Sequence, residues 1–301
     1  MITTLSILIP TFNRDCTHLV QSLKKQADNV NGLLYEVLVV DDASTDERTK
    51  KANRLIAKWD NCSIEELPKN IGRASIRNLL AEKAKYAYLL FLDSDVQLVS
   101  DDYLIKYLKC EDKAIVYGGV CIQPSDQLAT CNLRYQYEVS CEPKFSVERR
   151  SLSPYQGFRT SNFLVTKQLM LKHKFDSRIV HYGYEDVLFG RCLKTANIPV
   201  THIENPVAVD DFEPNDVFLK KTDEGIRTLL SLYDEMDEYT NILIWVKRIE
   251  KWHLMHPILM GYKVFSPLIK RNLLGTHPSV KVYNIYRLCT FMLLQKNKKS
   301  K

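Results

Sequence analysis

The sequence predicts an α/β fold with a mostly parallel central sheet, flanked by helices and followed by a helical C-terminal extension. Three observations predict it. In the first 120 residues, short unbroken apolar runs alternate with amphipathic stretches, the signature of parallel strands buried on both faces by crossover helices. Several of those runs end abruptly on polar or acidic residues, where such sheets bind ligands. Beyond residue 213 the strand signals stop and long helical, increasingly basic stretches take over.

Leu5 to Pro10 is a short apolar run closed by a proline, a buried strand with a loop after it. Residues 15–27 place Leu19, Leu23 and Ala27 on one helical face. Tyr35 to Val40 is the second strand and stops at Asp41-Asp42; Ser44 is then expected to cap a helix carrying Asp46 and Glu47 in its first turn. A weaker strand at 63–67 precedes a helix from Gly72 to Lys85, and strands follow at 86–92 and 114–120. Residues 125–150 read as a long polar connection or helix, and 162–172 as a strand and short helix. Asp186 to Thr195 reads as helix and Val200 to Ile203 as strand. Amphipathic helices fill 214–236 and much of 240–260, after which Pro257, Pro267 and Pro278 are expected to break the tail into short pieces.

Composition narrows the class. With 301 residues, 45% hydrophobic and 26% charged, the chain can bury a sizeable core. Its eight cysteines form no Cys-x-x-Cys pair, so zinc and redox motifs lack support and reduced thiols in a cytoplasmic protein are expected. The start of the chain lacks a signal-peptide pattern, and no run of 18 apolar residues predicts a membrane span. The net charge of +6 is uneven: residues 245–301 hold 12 Lys and Arg against the single acid Glu250.

The strand tips carry the chemistry. Asp93 and Asp95 flank Ser94 after the run ending at Leu92. In extended chain, residues two apart share a face, so two carboxylates would point together and a divalent cation would relieve their repulsion. A solvated turn that caps the next helix is the plainer alternative. Asp41 and Asp42 end the second strand, where a carboxylate can hold a ribose or a base edge, and two acids exceed what capping needs. Thr11 and Arg14, after Pro10, could meet a base and a phosphate. Asn70-Ile71-Gly72-Arg73 opens a helix whose N–H groups favour anions. Arg73 and Arg77, four apart, make either a diphosphate cradle or an exposed charged stripe.

These phrases together, Ser6 to Arg14, Val39 to Asp46, Asn70-x-Gly72 with Arg77-Asn78, and Leu92 to Asp95, resemble the GT-A fold of inverting family 2 glycosyltransferases in order and spacing. The resemblance implies a nucleotide-sugar-binding half at 1–100, an acceptor half at 101–212, and a basic helical extension at 213–301. It implies donor contacts from Pro10, Thr11, Arg14, Asp42, Arg73, Arg77, Asp93 and Ser94. Asp42 would recognise a uracil-type base, and Asp95 with Asp93 would ligate Mn²⁺ or Mg²⁺ on the diphosphate.

The segment Gly157 to Phe163, then Phe175-Asp176, then His181 to Gly190, looks like that of galactosyltransferases and chondroitin polymerases. There a Gly-rich aromatic loop precedes Glu-Asp at a helix start. An acidic helix N-terminus favoured by the dipole is the alternative. The likeness implies Asp186 as general base, Glu185 orienting acceptor hydroxyls, and acceptor contacts from Ser161, Asn162 and Tyr184. The implied reaction moves a sugar from a nucleotide diphosphate donor, a UDP-sugar, to a glycan or lipid-linked glycan with inversion. One departure bears on the metal. Where related enzymes carry a histidine after Asn205-Pro206-Val207, this chain has Val209. Asp210 or Asp211 could replace it, and His202 reads equally as a core residue. The Gln-x-x-Arg-Trp motif of processive synthases is missing, which favours single additions.

Other readings are a sugar nucleotidyltransferase, disfavoured by Pro-Thr-Phe-Asn-Arg in place of a glycine-rich loop, and a catalytically weak scaffold of a glycan-assembly complex. Nucleic acid is not an expected partner. The basic tail interleaves Trp245, Trp252, Tyr262, Phe265, Leu268, Tyr283, Tyr286, Phe291 and Met292 with its charges. Such a mixture suits either an anionic membrane face, at the inner surface of the cell membrane, or packing on the rest of the protein.

Overall fold

The strands form chiefly where apolar β-formers run between polar stops, though the edge strand Cys62–Glu66 is mostly polar. In the computed structural model, which describes residues 1–179, 182–209, 211–236 and 239–299, they are β1 (Thr4–Thr11), β2 (Leu34–Asp41), β3 (Cys62–Glu66), β4 (Tyr88–Leu92), β5 (Val96–Leu98), β6 (Ile115–Tyr117), β7 (Val120–Ile122), β8 (Asn162–Thr166), β9 (Val200–His202) and β10 (Val207–Val209). The chain divides into two compact units: 1–123 with 143–180 and 185–211, and 124–142 with 181–184 and 212–301.

The first unit is built on a seven-stranded sheet of order β3-β2-β1-β4-β8-β6-β9. β1 pairs parallel to β2 from Thr4↔Leu34 to Thr11↔Asp41, and parallel to β4 through Ser6↔Leu89. The carboxyl ends of β1, β2 and β4 therefore lie along one edge. β8 is antiparallel to both β4 and β6, with Asn162 opposite Leu92. Its beginning, rather than its end, reaches that edge, so Ser161 arrives beside Asp93, whose N–H donates to the Ser161 carbonyl at 3.1 Å.

Alternation along the strands fills both faces. Ile7, Ile9, Val37 and Leu90 turn towards the helices Thr17–Asp28 and Tyr103–Leu108. Leu8, Leu38, Phe91 and Phe163 turn towards Arg73–Lys83 and Glu185–Thr195. Phe91 and Phe163 stack across β4 and β8 with centroids 4.8 Å apart, an arrangement worth about 1 kcal/mol beyond area burial.

Several expectations change in detail. The predicted strand at 114–120 is two, β6 and β7, which join different sheets; the second sheet has the order β5-β10-β7. The break is at Gly118-Gly119, where a Cβ on Gly118 would collide with the Asn205 carbonyl and the Tyr107 hydroxyl. Strands of three residues leave too short an alternation to read. Ser44 caps no helix. Its hydroxyl accepts the Asn13 N–H at 2.7 Å, while Asp46 caps Glu47–Asn53 by accepting from Arg48 N–H at 3.2 Å.

The second unit is helical, with Asn215–Ser231, Asn241–Lys251, Met255–Leu274 and Val280–Lys299 as its longest elements. Of the three prolines only Pro278 breaks the tail, between Met255–Leu274 and Val280–Lys299; the other two do not. Pro257 falls in the first turn of Met255–Leu274, where no N–H is needed, and Pro267 stands exposed inside the same helix. An interior proline costs about 3 kcal/mol, and buried Leu259, Tyr262 and Leu273 offset it from the other face. Much of the tail is core: Tyr283, Tyr286, Phe291 and Met292 are all buried. Thr222 and Tyr283 share a 2.9 Å hydrogen bond, and Tyr286 donates to Asp223 at 2.6 Å.

Candidate active site

Arg77 organises the site. Although it lies on the helix Arg73–Lys83 with Arg73, it is no exposed stripe: it is 1% exposed. Its Nη2 donates to Asp93 Oδ1 at 2.6 Å, and its Nη1 lies 3.7 Å from Glu185 Oε1. Arg73, half exposed, also stands 3.7 Å from that Glu185 oxygen. One buried guanidinium thus joins the turn after β4 to the start of helix Glu185–Thr195. The fork geometry of arginine allows this double engagement, and burial strengthens it.

Asp93-Ser94-Asp95 is a turn between β4 and β5, not extended chain. The alternation expected to align the two carboxylates does not apply there, although both remain partly buried at the sheet edge. Among the described residues no group of three His, Cys, Asp or Glu side chains forms a metal cage. Two neighbouring carboxylates still suit a hard cation that takes its remaining ligands from phosphate oxygens and water. Position 209 holds Val209 in β10, paired with Val96. Asp211 stands 3.5 Å from Arg14, while Asp210 lies outside the described residues.

The second-strand acids are more internally engaged than the sequence suggests. Asp41, fully buried, accepts the Ser44 N–H at 2.7 Å. Asp42 accepts the N–H groups of Ile71 at 2.7 Å and Gly72 at 3.0 Å. The anion held at the start of helix Arg73–Lys83 is therefore the protein's own carboxylate. Burial raises the Asp42 pKa, and those two N–H groups oppose the rise. Thr11 is buried and donates to the Arg14 carbonyl at 2.9 Å. Pro10 is half-buried in β1, opposite Val40. Asn13, with φ of 51°, accepts from Thr45 and Asp46 N–H and ties the first loop to the second.

On the acceptor side, Asn162 is corrected from a contact residue to an internal one. It is fully buried, its Oδ1 accepts from Tyr103 and Tyr107 hydroxyls at 2.6 and 2.7 Å, and its Nδ2 donates to the Gly119 and Asn205 carbonyls. Every polar group on the side chain is used inside the fold. Ser161 is half-buried at the sheet edge. Tyr184 belongs to the second unit and has φ of 69°, following Gly183 at 95°; this left-handed pair turns the loop immediately before Glu185.

Asp186 differs from Glu185. It is only partly buried, and its Oδ1 accepts from the Val187 N–H at 2.7 Å. Burial and the Glu185 charge push its pKa up to about 6, against the pull of Arg159, that N–H and Arg77. A carboxylate poised near neutrality is the state a general base needs. Glu185 is buried and faced by two arginines. Arg159, absent from the expected set, acts on Asp186 and stacks over Phe145 at 4.7 Å. Its place between Phe158 and Thr160 was the only sequence signal for it. His202 is a core residue: buried, with Nε2 2.9 Å from the Pro154 carbonyl, and its pKa lowered by burial to about 4.

Comparison with known proteins places the chain in a family and a fold. The model of glycosyl transferase family 2 matches residues 6–173. An uncharacterized glycosyltransferase of Haemophilus influenzae is 33% identical over 193 residues, covering 63% of this chain and 72% of that protein. Chondroitin synthase of Pasteurella multocida is 26% identical over 220 residues, covering 62% of this chain but only 22% of that enzyme. Among solved structures, the mannosyltransferase PcManGT from Pyrobaculum calidifontis, in complex with GDP-Man and Mn²⁺, superposes with a TM-score of 0.58. At 13% identity over 98% of this chain and 86% of that one, the likeness is one of fold. With more than half its length inside the family model and its acids gathered at the strand tips of that fold, the chain belongs to glycosyl transferase family 2 and is a GT-A glycosyltransferase.

Proposed function

We propose that the protein transfers a hexosyl unit from a UDP-sugar to a hydroxyl of a glycan or lipid-linked glycan by inverting displacement. The observation that carries this reading is the convergence of Asp93, Arg77, Glu185 and Asp186. In the step, the acceptor oxygen forms a bond to the anomeric carbon from the face opposite the diphosphate. The bond from that carbon to the diphosphate oxygen breaks, nucleoside diphosphate leaves, and the acceptor proton passes to Asp186. Glu185, held by Arg73 and Arg77, orients the acceptor hydroxyls, with Ser161 contributing. Arg14 and Arg73 offset charge on the leaving diphosphate. Asp95 with Asp93 would hold Mn²⁺ or Mg²⁺, which when bound supplies further positive charge there.

Relatives support the donor class. TarS from S. aureus was solved with UDP-GlcNAc and superposes with a TM-score of 0.50 at 15% identity. The GDP-Man in PcManGT keeps a GDP-sugar as the competing donor. A weakly catalytic scaffold is the second reading, favoured by Val209 where a histidine ligand is expected. Peripheral contact with an anionic membrane through the C-terminal helices completes the proposal; among the described residues no helix is long and apolar enough to cross one.

A screen of UDP- and GDP-sugars with and without Mn²⁺ tests the reading. A UDP-sugar with Mn²⁺ is expected to raise the melting temperature by about 2–4 °C at saturation and to be hydrolysed slowly. Asp95→Ala should abolish the Mn²⁺-dependent part of donor binding without lowering the melting temperature of the free protein. Wild-type donor affinity in that variant would reject the metal assignment. No response to any nucleotide sugar would reject the transferase reading in favour of the scaffold.

A further inference from the structure

Nine of the eighteen large apolar side chains exposed among the described residues lie between Trp245 and Ile285. They are not scattered. On the helix Met255–Leu274, positions 259, 262 and 273 are buried, and positions 260, 264, 265 and 268 stand on the opposite side. Residues 260, 264 and 268 are four apart and form one row. Val264 is 71% exposed, Leu268 61%, Met260 59% and Phe265 57%. Trp252, 62% exposed, leads into the same helix. Four large apolar side chains in one outward face is more than isolated surface residues explain.

The charge around this face points to one kind of occupant. From residue 251 to 301 there is no Asp or Glu at all, while Lys251, Lys263, Lys270 and Arg271 accompany the helix. A protein partner or a second copy would leave those cations to be neutralised by its own acids. A bilayer bearing anionic headgroups satisfies both features at once: acyl chains take the apolar row and headgroups take the cations. The helix has 20 residues but is not apolar enough to span.

We propose that the outward face of helix Met255–Leu274 lies in the interface of an anionic bilayer, with Met260, Val264, Phe265 and Leu268 inserted and Lys263, Lys270 and Arg271 at headgroup level. This rests on the peripheral-contact reading above and narrows it. The buried Tyr283, Tyr286, Phe291 and Met292 are excluded as lipid contacts, and the terminal lysines are secondary.

Flotation of the full chain with phosphatidylcholine vesicles, and with vesicles holding one third phosphatidylglycerol, tests it. The wild type should float with the anionic vesicles and release as salt is raised. The triple variant Val264→Ser, Phe265→Ser, Leu268→Ser should bind at least 10-fold more weakly, with an unchanged melting temperature because all three positions are exposed. The double variant Lys296→Gln, Lys298→Gln should lose less than about 3-fold, since it changes few of the charges near the surface. A wild type that never floats overturns the membrane reading together with this inference. A triple-serine variant that floats like the wild type overturns the inference alone. A wild-type dimer by light scattering that the serine variant splits would assign the face to a second copy and also overturn it.

Discussion

Asp186→Asn is expected to lower turnover by about 10²- to 10⁴-fold, the range for loss of a general base, while leaving donor affinity within about 2-fold of wild type. The amide keeps the shape of the carboxyl and can still accept the Val187 N–H, so the helix start should hold. Wild-type kcat/KM with a hydroxyl acceptor should rise with pH through an apparent value near 6, because burial and Glu185 hold Asp186 there. Between the ordinary carboxyl range near 4 and about 6, folded Asp186 binds a proton that the unfolded chain has released. Its contribution to stability is therefore present at low pH and lost as pH rises through that window. The Asn variant should then melt no lower than wild type at pH 7.5. Turnover within a few-fold of wild type would transfer the base role to another group, and retention at the anomeric carbon would reject direct displacement.

Arg77→Met should be the most damaging single change to both stability and activity. It removes the 2.6 Å partner of Asp93 and one of two guanidinium groups beside the buried Glu185. Breaking a buried ion pair from one side costs about 3–5 kcal/mol, since a carboxylate in the interior loses its nearest opposing charge. Urea denaturation measures this directly; a loss under about 1 kcal/mol would show that the strut carries little. Arg77 also holds the Asp186 pKa down. The acid limb of the variant's residual activity should therefore move above 6. Arg77→Lys should restore part of the stability but not the double engagement, because one ammonium is a point charge. An unshifted limb in Arg77→Met would mean that the arginine is structural only.

By itself the sequence determined the class of fold and the place where its chemistry collects. Unbroken runs such as Leu5 to Pro10 and Tyr86 to Leu92 read as strands buried on both faces, whose polar ends then meet at one edge. Four motifs in order also carried the family, because their spacing follows from that topology. Tertiary structure decided what each polar residue does there. Arg77 read as half of either a diphosphate cradle or an exposed stripe; helical spacing specifies a face but not whether another element covers it. Asn162 looked like an acceptor contact; only the packing of Tyr103, Tyr107, Gly119 and Asn205 around it reveals a side chain with nothing left to offer a ligand. Asp42 met the N–H groups of Ile71 and Gly72 from 29 and 30 residues away. Glu185 and Asp186 are adjacent and nearly identical in chemistry, yet only Glu185 is buried against arginines more than 100 positions earlier in the chain. Local pattern sets which groups are present at the edge. Desolvation and partners brought by long-range packing set their charge state and reach, and those are properties of the assembled fold.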